Sequence, residues 1–280
     1  MLNTSFQIML KFLLLLGFLL SGGCATTAHH PNPDPFEKFN RGVFAFNEGI
    51  DKTLLKPVAE TYQAIVPDPV DEGVTNFFSN LDDIVVIAND LLQLKLKQAT
   101  SDIGRLFLNS TIGILGVVDV ATEVGLSKHS EDFGQTLGYW GVGSGPYLVL
   151  PFFGPSSVRD VVGRGVDILL DPRVYYANLQ GTDARNFVIA TNVLKGIDTR
   201  ADLIGTEKIL QAAALDDYSY LRDAYLARRE YLVYDGNPPQ TEEEEEFDEE
   251  DLFEDLEEDN EAEGNEAEMT DVSNDSANTN

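Results

Sequence analysis

Residues able to do chemistry are few in this 280-residue chain, and they are scattered. Its one cysteine, Cys24, follows a short apolar run, Phe12 to Leu20, and the small residues Ser21, Gly22 and Gly23. A thiol placed there suits attachment of diacylglycerol, with cleavage between Gly23 and Cys24 and acylation of the new amino terminus. Of three histidines, His29 and His30 adjoin a proline-rich stretch, and two ligands fall short of the three or four that a metal site needs. His129 precedes Glu131 and Asp132, a base with candidate orienting carboxylates, yet no G-x-S-x-G elbow accompanies it. Gly141-Val-Gly-Ser-Gly-Pro146 lacks the Gly-Lys-Ser/Thr ending of a phosphate loop and the spacing of a dinucleotide fingerprint. Arg159, Asp160, Arg164 and Asp167 read as solvated ion pairs along one helix. The inventory predicts no catalytic residue, no metal and no cofactor.

The elements that would hold these residues are mainly helical. The apolar run before Cys24 is shorter than the ~20 residues needed to span a bilayer. It reads as a lipoprotein signal, 1–23. Ser21 stands where a leucine is usual, so an ordinary secretory signal with an incidental cysteine is the alternative. Residues 24–35, with prolines at 31, 33 and 35, read as an extended tether. Phe36, Phe39, Val43, Phe46 and Ile50 then recur at helical spacing. Pro57 and the Pro67/Pro69 pair predict breaks around a short helix, Val58 to Val66. Helices are expected next at Val70–Leu81, at Asp82–Leu96 and from Ser101 toward Leu115. The second is apolar around most of its circumference, which requires burial in protein or in lipid.

Phe133 to Pro155 is glycine-rich and aromatic and reads as irregular or hairpin backbone. Pro155 suits the first turn of a helix reaching Asp171. Two longer helices follow, Asp183–Ile204 and from Thr206 or Glu207 to Val233. The predicted architecture is all-α with a glycine-rich hairpin or loop, a body over 36–234 and a disordered tail over 235–280.

Charge separates body from tail. Glu242 to Asn280 carries twenty Asp or Glu and no Lys or Arg, so most of the formal charge of -29 lies in a stretch whose composition predicts solvated disorder. The body is mildly acidic and has no block of basic residues, which excludes a nucleic-acid surface and electrostatic attraction to anionic lipid. A lone cysteine excludes an intramolecular disulfide and thiolate metal sites. Membrane contact must therefore come from an acyl anchor and apolar surface, and helices lying in the plane of a leaflet are a direct way to use both.

Longer stretches carry a family likeness. Asp34-Pro-Phe-Glu-Lys-Phe-Asn-Arg-Gly-Val-Phe-Ala-Phe-Asn47, Asn76-Phe-Phe-Ser-Asn-Leu81, Arg105-Leu-Phe-Leu-Asn-Ser-Thr-Ile-Gly113, Glu131-Asp-Phe-Gly-Gln-Thr-Leu-Gly138, Gly141 to Pro151 and Gly154-Pro-Ser-Ser-Val-Arg-Asp160 resemble the MlaA (VacJ) family of outer-membrane lipoproteins. The resemblance implies a ring-like arrangement of amphipathic helices in the periplasmic-facing leaflet of the outer membrane, around an amphipathic channel. It also implies that phospholipids leave the outer leaflet and pass to a soluble periplasmic carrier, that a trimeric porin is a partner, and that no covalent chemistry takes place. By the same resemblance Cys24 is acylated, and Gly141, Gly143 and Gly145 lie near a mobile hairpin beside the channel. Two departures stand out: Asp83-Ile84 where the family commonly has an acidic residue and proline, and Leu91-Leu-Gln-Leu94 where it has Leu-Leu-Gln-Gly. A scaffold that binds a porin without carrying lipid is the competing reading, and a lipid hydrolase built on His129 a third.

Overall fold

The computed structural model describes residues 34–213 and 215–239. Gly23, Cys24, the signal, His29, His30 and the acidic run from Glu242 lie outside the described residues. Two units divide the chain, one ending at Val233 and the other beginning at Tyr234. The described part of the second, 234–239, is a turn followed by backbone without regular secondary structure.

The first unit is helical apart from one hairpin. Helix α1 (Glu37–Ile50) runs through a π-helical stretch, Asp51–Leu55, into α2 (Lys56–Ile65) without a break. Pro57, expected to stop the helix, is accommodated because the widened turn hands the bonding to i→i+5 pairs: the Lys56 N–H donates to the Asp51 carbonyl. Pro67 and Asp68 do end that run, and α3 (Asp68–Leu92) begins with a proline in its first turn.

Helix α3 is continuous where two helices were expected. Asp83-Ile84 lies in its interior, and the absence of proline at Ile84 leaves the i→i−4 ladder intact. The helix ends at Gln93-Leu94, where Leu94 takes φ +62 in the left-handed region. The glycine that the resemblance expects there would adopt that conformation freely, whereas leucine is strained. Helix α4 (Leu96–Thr111) packs back against α3, and a tight run of turns leads to α5 (Val120–Glu123).

Asp132 caps α6 (Phe133–Tyr139), its side chain accepting from the Gln135 N–H at 2.8 Å. This helix was expected to be irregular because of its glycines. They serve packing instead: a Cβ on Gly163 would lie 2.3 Å from the Gly134 nitrogen, so α6 crosses the following helix backbone to backbone. Strands β1 (Tyr147–Leu150) and β2 (Gly154–Ser157) pair antiparallel, Tyr147 opposite Ser157 and Leu150 opposite Gly154. Their three-residue turn places Phe152 at φ +67. Pro155 therefore sits in β2, and Ser157 caps α7 (Val158–Leu170) by accepting from the Asp160 N–H at 3.1 Å.

Asp171 caps α8 (Pro172–Leu179), a helix not anticipated; α9 (Thr182–Ala213) and α10 (Asp217–Val233) complete the unit. The boundary between the last two falls about ten residues later than the periodicity suggested, which extends α9 at the expense of α10.

Two small apolar clusters hold the fold. Ala59, Ala201 and Ile204 join α2 to α9, with Tyr62 against them. Tyr147, Val149 and Tyr218 join the hairpin to α10, flanked by Val43 and Phe44 of α1. Helix α1 grips the hairpin by two asparagines spaced two turns apart. Asn40 donates to the Tyr147 carbonyl at 3.0 Å and accepts from the Val149 N–H at 2.9 Å; Asn47 donates to the Leu150 carbonyl at 2.9 Å and accepts from the Phe152 N–H at 2.8 Å. Each amide satisfies a strand donor and a strand acceptor at once.

Candidate functional site

Helices α3 and α4 carry their polar residues inward. On α3, Asn80, Asp83, Asn89 and Asp90 recur at three, six and one residues on the buried side; on α4, Asp102, Arg105 and Asn109 recur at three and four, with Ala99 on the same side. The opposite faces are apolar and exposed: Leu91, Leu92, Leu96, Ile103 and Phe107, continued by Ile112, Ile114, Leu115, Val117 and Val118. Phe107 is 64% and Leu115 72% exposed. A contiguous apolar face over a polar seam reverses the arrangement expected of a helix pair in water. Ile84 to Ala88, read as apolar all round, lies between these faces, with Val86 alone fully buried.

The seam is closely hydrogen-bonded. Arg105, 2% exposed, bridges to Asp119 at 2.9 Å and to the Thr122 hydroxyl at 3.0 Å, and also donates to the Leu126 carbonyl. Asn109 donates to Asp119 at 2.9 Å. Burial pushes the Asp119 carboxyl up, but bonds from Thr122, Asn109 and Arg105 outweigh it and hold the group well below the usual carboxylate range. Asp90 has no such donors. Burial, and the neighbouring Asp102 carboxyl, push it up to about 7. His129 lies on Asp102, Nδ1 to Oδ2 at 2.9 Å, and not on either carboxylate beside it in sequence. Glu131 instead accepts from Gln93 at 2.7 Å and Lys95 at 2.9 Å, and Asp132 from Arg229 at 2.6 Å.

Neither Arg159 nor Asp160 forms the solvated pair expected of it, because both are buried where α6, α7 and α10 meet. Arg229 of α10 is bidentate on Asp132 and reaches Asp160 at 2.8 Å, while the Tyr225 hydroxyl donates to Asp160 at 2.5 Å. Burial raises both carboxyls, but the hydrogen bonds and charge supplied chiefly by Arg229 to Asp132, and by Tyr225 and Arg229 to Asp160, hold them below their ordinary range. Gly134 and Gly138 make the room: a Cβ at Gly134 would meet Asp160 at 2.5 Å, and one at Gly138 would meet Val233 at 2.8 Å.

Beside the seam lies a cavity of about 470 Å³. Its wall is formed by α3 (Thr75, Phe78, Asp82, Val85), the segment Lys128 to Glu131, α7 (Arg164, Asp167, Ile168), Arg173 and α9 (Lys195, Asp198, Asp202). The lining is mixed. Arg173 bonds Asp171 at 2.8 Å and Asp82 at 3.1 Å, Lys195 pairs with Asp82, and Lys128 with Asp83. Asp198 accepts from the Tyr62 hydroxyl at 3.0 Å and from Thr75 at 3.1 Å. Asp167 accepts from Asn89 and from the Phe133 N–H, and burial still pushes it up to about 6. A compartment of this size, within the ~300–1,000 Å³ of small-ligand pockets, suits a polar group carrying both signs of charge. Nothing in it pairs a nucleophile with a base, and among the described residues no cluster of metal ligands occurs.

Gly141, Gly143 and Gly145 lie in the loop joining α6 to β1. They precede the hairpin and do not form its bend, which is Pro151 to Phe153. Gly141 at φ +87 and Gly145 at φ +66 need the left-handed region. Aromatics gather on exposed surface nearby in sequence: Tyr139, Trp140, Phe152 and Phe153, together with Phe36, Phe39 and Phe46 of the first helix. The Trp140 ring nitrogen donates to the Leu92 carbonyl at 3.1 Å, tying α6 to the end of α3. Sequence reasoning missed Asp102, Arg105, Asn109 and Arg229; the polar stripe at three and four residues through α3 and α4 was the signal that could have found the first three.

Among the described residues no helix is long and apolar enough to cross a membrane. The family model for the MlaA lipoprotein matches residues 32–232. The intermembrane phospholipid transport system lipoprotein MlaA of Escherichia coli strain K12 is 34% identical over 229 residues, 80% of this chain and 88% of that protein. Its Shigella flexneri counterpart matches to the same extent, and a protein of Rickettsia bellii is 35% identical over 201 residues, 71% of this chain and 76% of that one. A solved structure described as the structural basis for maintenance of bacterial outer membrane lipid asymmetry superposes with a TM-score of 0.62 at 34% identity, covering 71% of this chain and 98% of that one. With the motifs from Asp34 to Asp160 now placed on one helical frame that shares this fold, the chain belongs to the MlaA lipoprotein family.

Proposed function

We propose that the chain is an outer-membrane lipoprotein that takes phospholipids from the outer leaflet and passes them to a soluble periplasmic carrier, maintaining the lipid asymmetry of that membrane. The observation that carries this reading is a charged cavity of about 470 Å³, walled in part by α3, together with an exposed apolar face formed by the end of α3, by α4 and by the turns that follow it. Head groups enter the polar compartment while acyl tails remain against apolar surface, so neither part of the lipid crosses an environment of the wrong polarity. The apolar face of α4 lies among lipid tails in the periplasmic-facing leaflet, with Tyr139 and Trp140 at its margin.

Acylated Cys24 holds the body at the membrane, and the exposed aromatics of the hairpin and first helix meet a trimeric porin. Gly141, Gly143 and Gly145 give the hairpin the freedom to move beside the channel, around which the helices are arranged as a ring. Direction comes from the carrier downstream, and the protein makes and breaks no covalent bond.

Labelling of outer-leaflet phospholipid in a strain lacking the gene tests this: exposure should rise and return to normal on complementation. Unchanged asymmetry would overturn the reading and leave a porin-binding scaffold in its place.

A further inference from the structure

Four permanent cations line the cavity, and three are committed: Lys128 to Asp83, Arg173 to Asp82 and Asp171, Lys195 to Asp82. The fourth, Arg164, has no ion pair among the described residues. Its guanidinium carbon lies 5.3 Å from the ring centroid of Phe153 in the hairpin turn. Stacking occupies the face of a guanidinium and leaves its N–H edge free, the edge that binds phosphate oxygens in pairs. The ring also holds the plane in place, which reduces the entropy lost when an anion arrives.

The rest of the lining argues about the remainder of the ligand. Six carboxylates stand against the four cations in the wall, so the compartment is acidic even with every pair formed. Asp202, on the α9 side, has no ion-pair partner among the described residues. A ligand with only negative charge would gain Arg164 and be repelled by the surplus acid; one carrying an ammonium as well gains on both sides.

Resting on the transport reading above, we propose that Arg164 is the phosphate contact of the phospholipid head group and that the acidic lining, Asp202 included, selects zwitterionic head groups bearing an ammonium over anionic ones. The guanidinium edge receives the phosphodiester and the ammonium turns toward α9. Arg164 is thus a head-group-binding residue of the conduit rather than part of its framework, and the acidic lining sets the specificity.

The test uses the full acylated chain in neutral detergent with equimolar phosphatidylethanolamine and phosphatidylglycerol, bound lipid being counted by native mass spectrometry. The wild type should retain the ethanolamine lipid preferentially. R164Q should lower occupancy by both lipids about tenfold, as expected for one lost charge-assisted contact, with R164K intermediate. D202N should erase the preference by lowering occupancy of the ethanolamine lipid toward that of phosphatidylglycerol. Because Arg164 has no ion pair among the described residues and only the Phe153 ring against it, the melting temperature of R164Q should stay close to the wild type; a large parallel fall in melting and occupancy would assign it a structural role and overturn the proposal. Wild-type occupancy in R164Q, or preference for phosphatidylglycerol in the wild type, would overturn it while leaving transport standing. Binding of inorganic phosphate that depends on Arg164, with lipid occupancy indifferent to it, would assign free phosphate instead. A wild type that binds neither lipid would remove both readings together.

Discussion

The hairpin region and the α3–α4 pair bury opposite kinds of atoms. Around the hairpin, Tyr147, Val149 and Tyr218 fill the interior with Phe44 and Tyr225 against them, and polar side chains serve mainly to hold strand backbone. Between α3 and α4 the interior is largely Asp83, Asn89, Asp90, Asp102, Arg105 and Asn109, with Phe78, Val86 and Ala99 the buried apolar residues of the two helices, and the other large apolar side chains are partly or largely exposed. The first region is built as a protein in water is built. The second spends its apolar surface on the surroundings, so its stability rests on hydrogen bonds and ion pairs whose loss is not softened by solvent. One chain therefore carries two kinds of stability, and substitutions should separate them.

The largest effect is expected from Arg105→Leu, which leaves Asp119 with only its Thr122 and Asn109 donors and the Leu126 carbonyl without its arginine donor in the polar seam. Breaking a buried pair by removing one partner costs about 3–5 kcal/mol, seen as collapse of the thermal transition in detergent by far-UV circular dichroism. In the hairpin region, Asn40→Ala removes two backbone contacts and the 2.7 Å bond to Asp34. There the expected cost is smaller, about 1–3 kcal/mol, because the buried Asp34 carboxylate keeps the hydrogen bond from the Tyr218 hydroxyl. Equal losses at the two sites in urea titrations would erase the distinction.

Asp90→Asn sharpens the contrast through pH. The wild-type carboxyl, raised to about 7 in the fold, binds a proton there that the unfolded chain releases near ~3.9. Native protons exceed unfolded ones between those values, so stability falls as pH rises through that window and the penalty is complete above it. The amide carries no such penalty and can donate to Asp102. The variant should be more stable at pH 8, on the order of 1–2 kcal/mol, with a flatter profile from pH 4 to 7. The smallest effect is expected for Leu94→Gly, which relieves a φ of +62 at an exposed position. A gain of about 0.5–1 kcal/mol should appear as a slightly raised melting temperature, and a loss would mean that the leucine's apolar contact outweighs its strain.

Much of this frame was readable from residues alone, and the unread parts share a physical cause. The three- and four-residue recurrence from Phe36 to Ile50 marks the first helix correctly, whereas the caps Asp132 and Asp171 open two helices that the sequence reading does not contain. The seam escaped notice because Ile84 to Ala88 drew attention to the apolar residues of α3, while its inner face is written in Asp83, Asn89 and Asp90. Reading apolar as inside fails on a helix pair whose polar residues face inward and whose apolar residues are exposed. Helix α6 was hidden by Gly134 and Gly138, whose lack of side chains signals close packing as readily as a loop. Pro57 misled because a π-turn, invisible in a pattern of residue types, relieves it. Of the cavity, Arg164 and Asp167 stand out on one helix, but the ion pairs that leave Arg164 uncommitted draw on Asp82 and Asp83 of α3, about 80 residues earlier, which no local spacing reveals.

The two asparagines of α1 also bear on the order in which the chain assembles. A hairpin of two short strands is marginal by itself in water, and here β1 has its outer edge closed by amides from about 105 residues earlier in the sequence, while Pro155 brings no N–H to β2. With one edge occupied and the other missing a donor, the hairpin offers no template for a third strand. It must also wait for α1: the strands gain their partners only once a loop of about a hundred residues has closed, which makes the hairpin a late arrival in folding, set in place by a helix that forms early and locally.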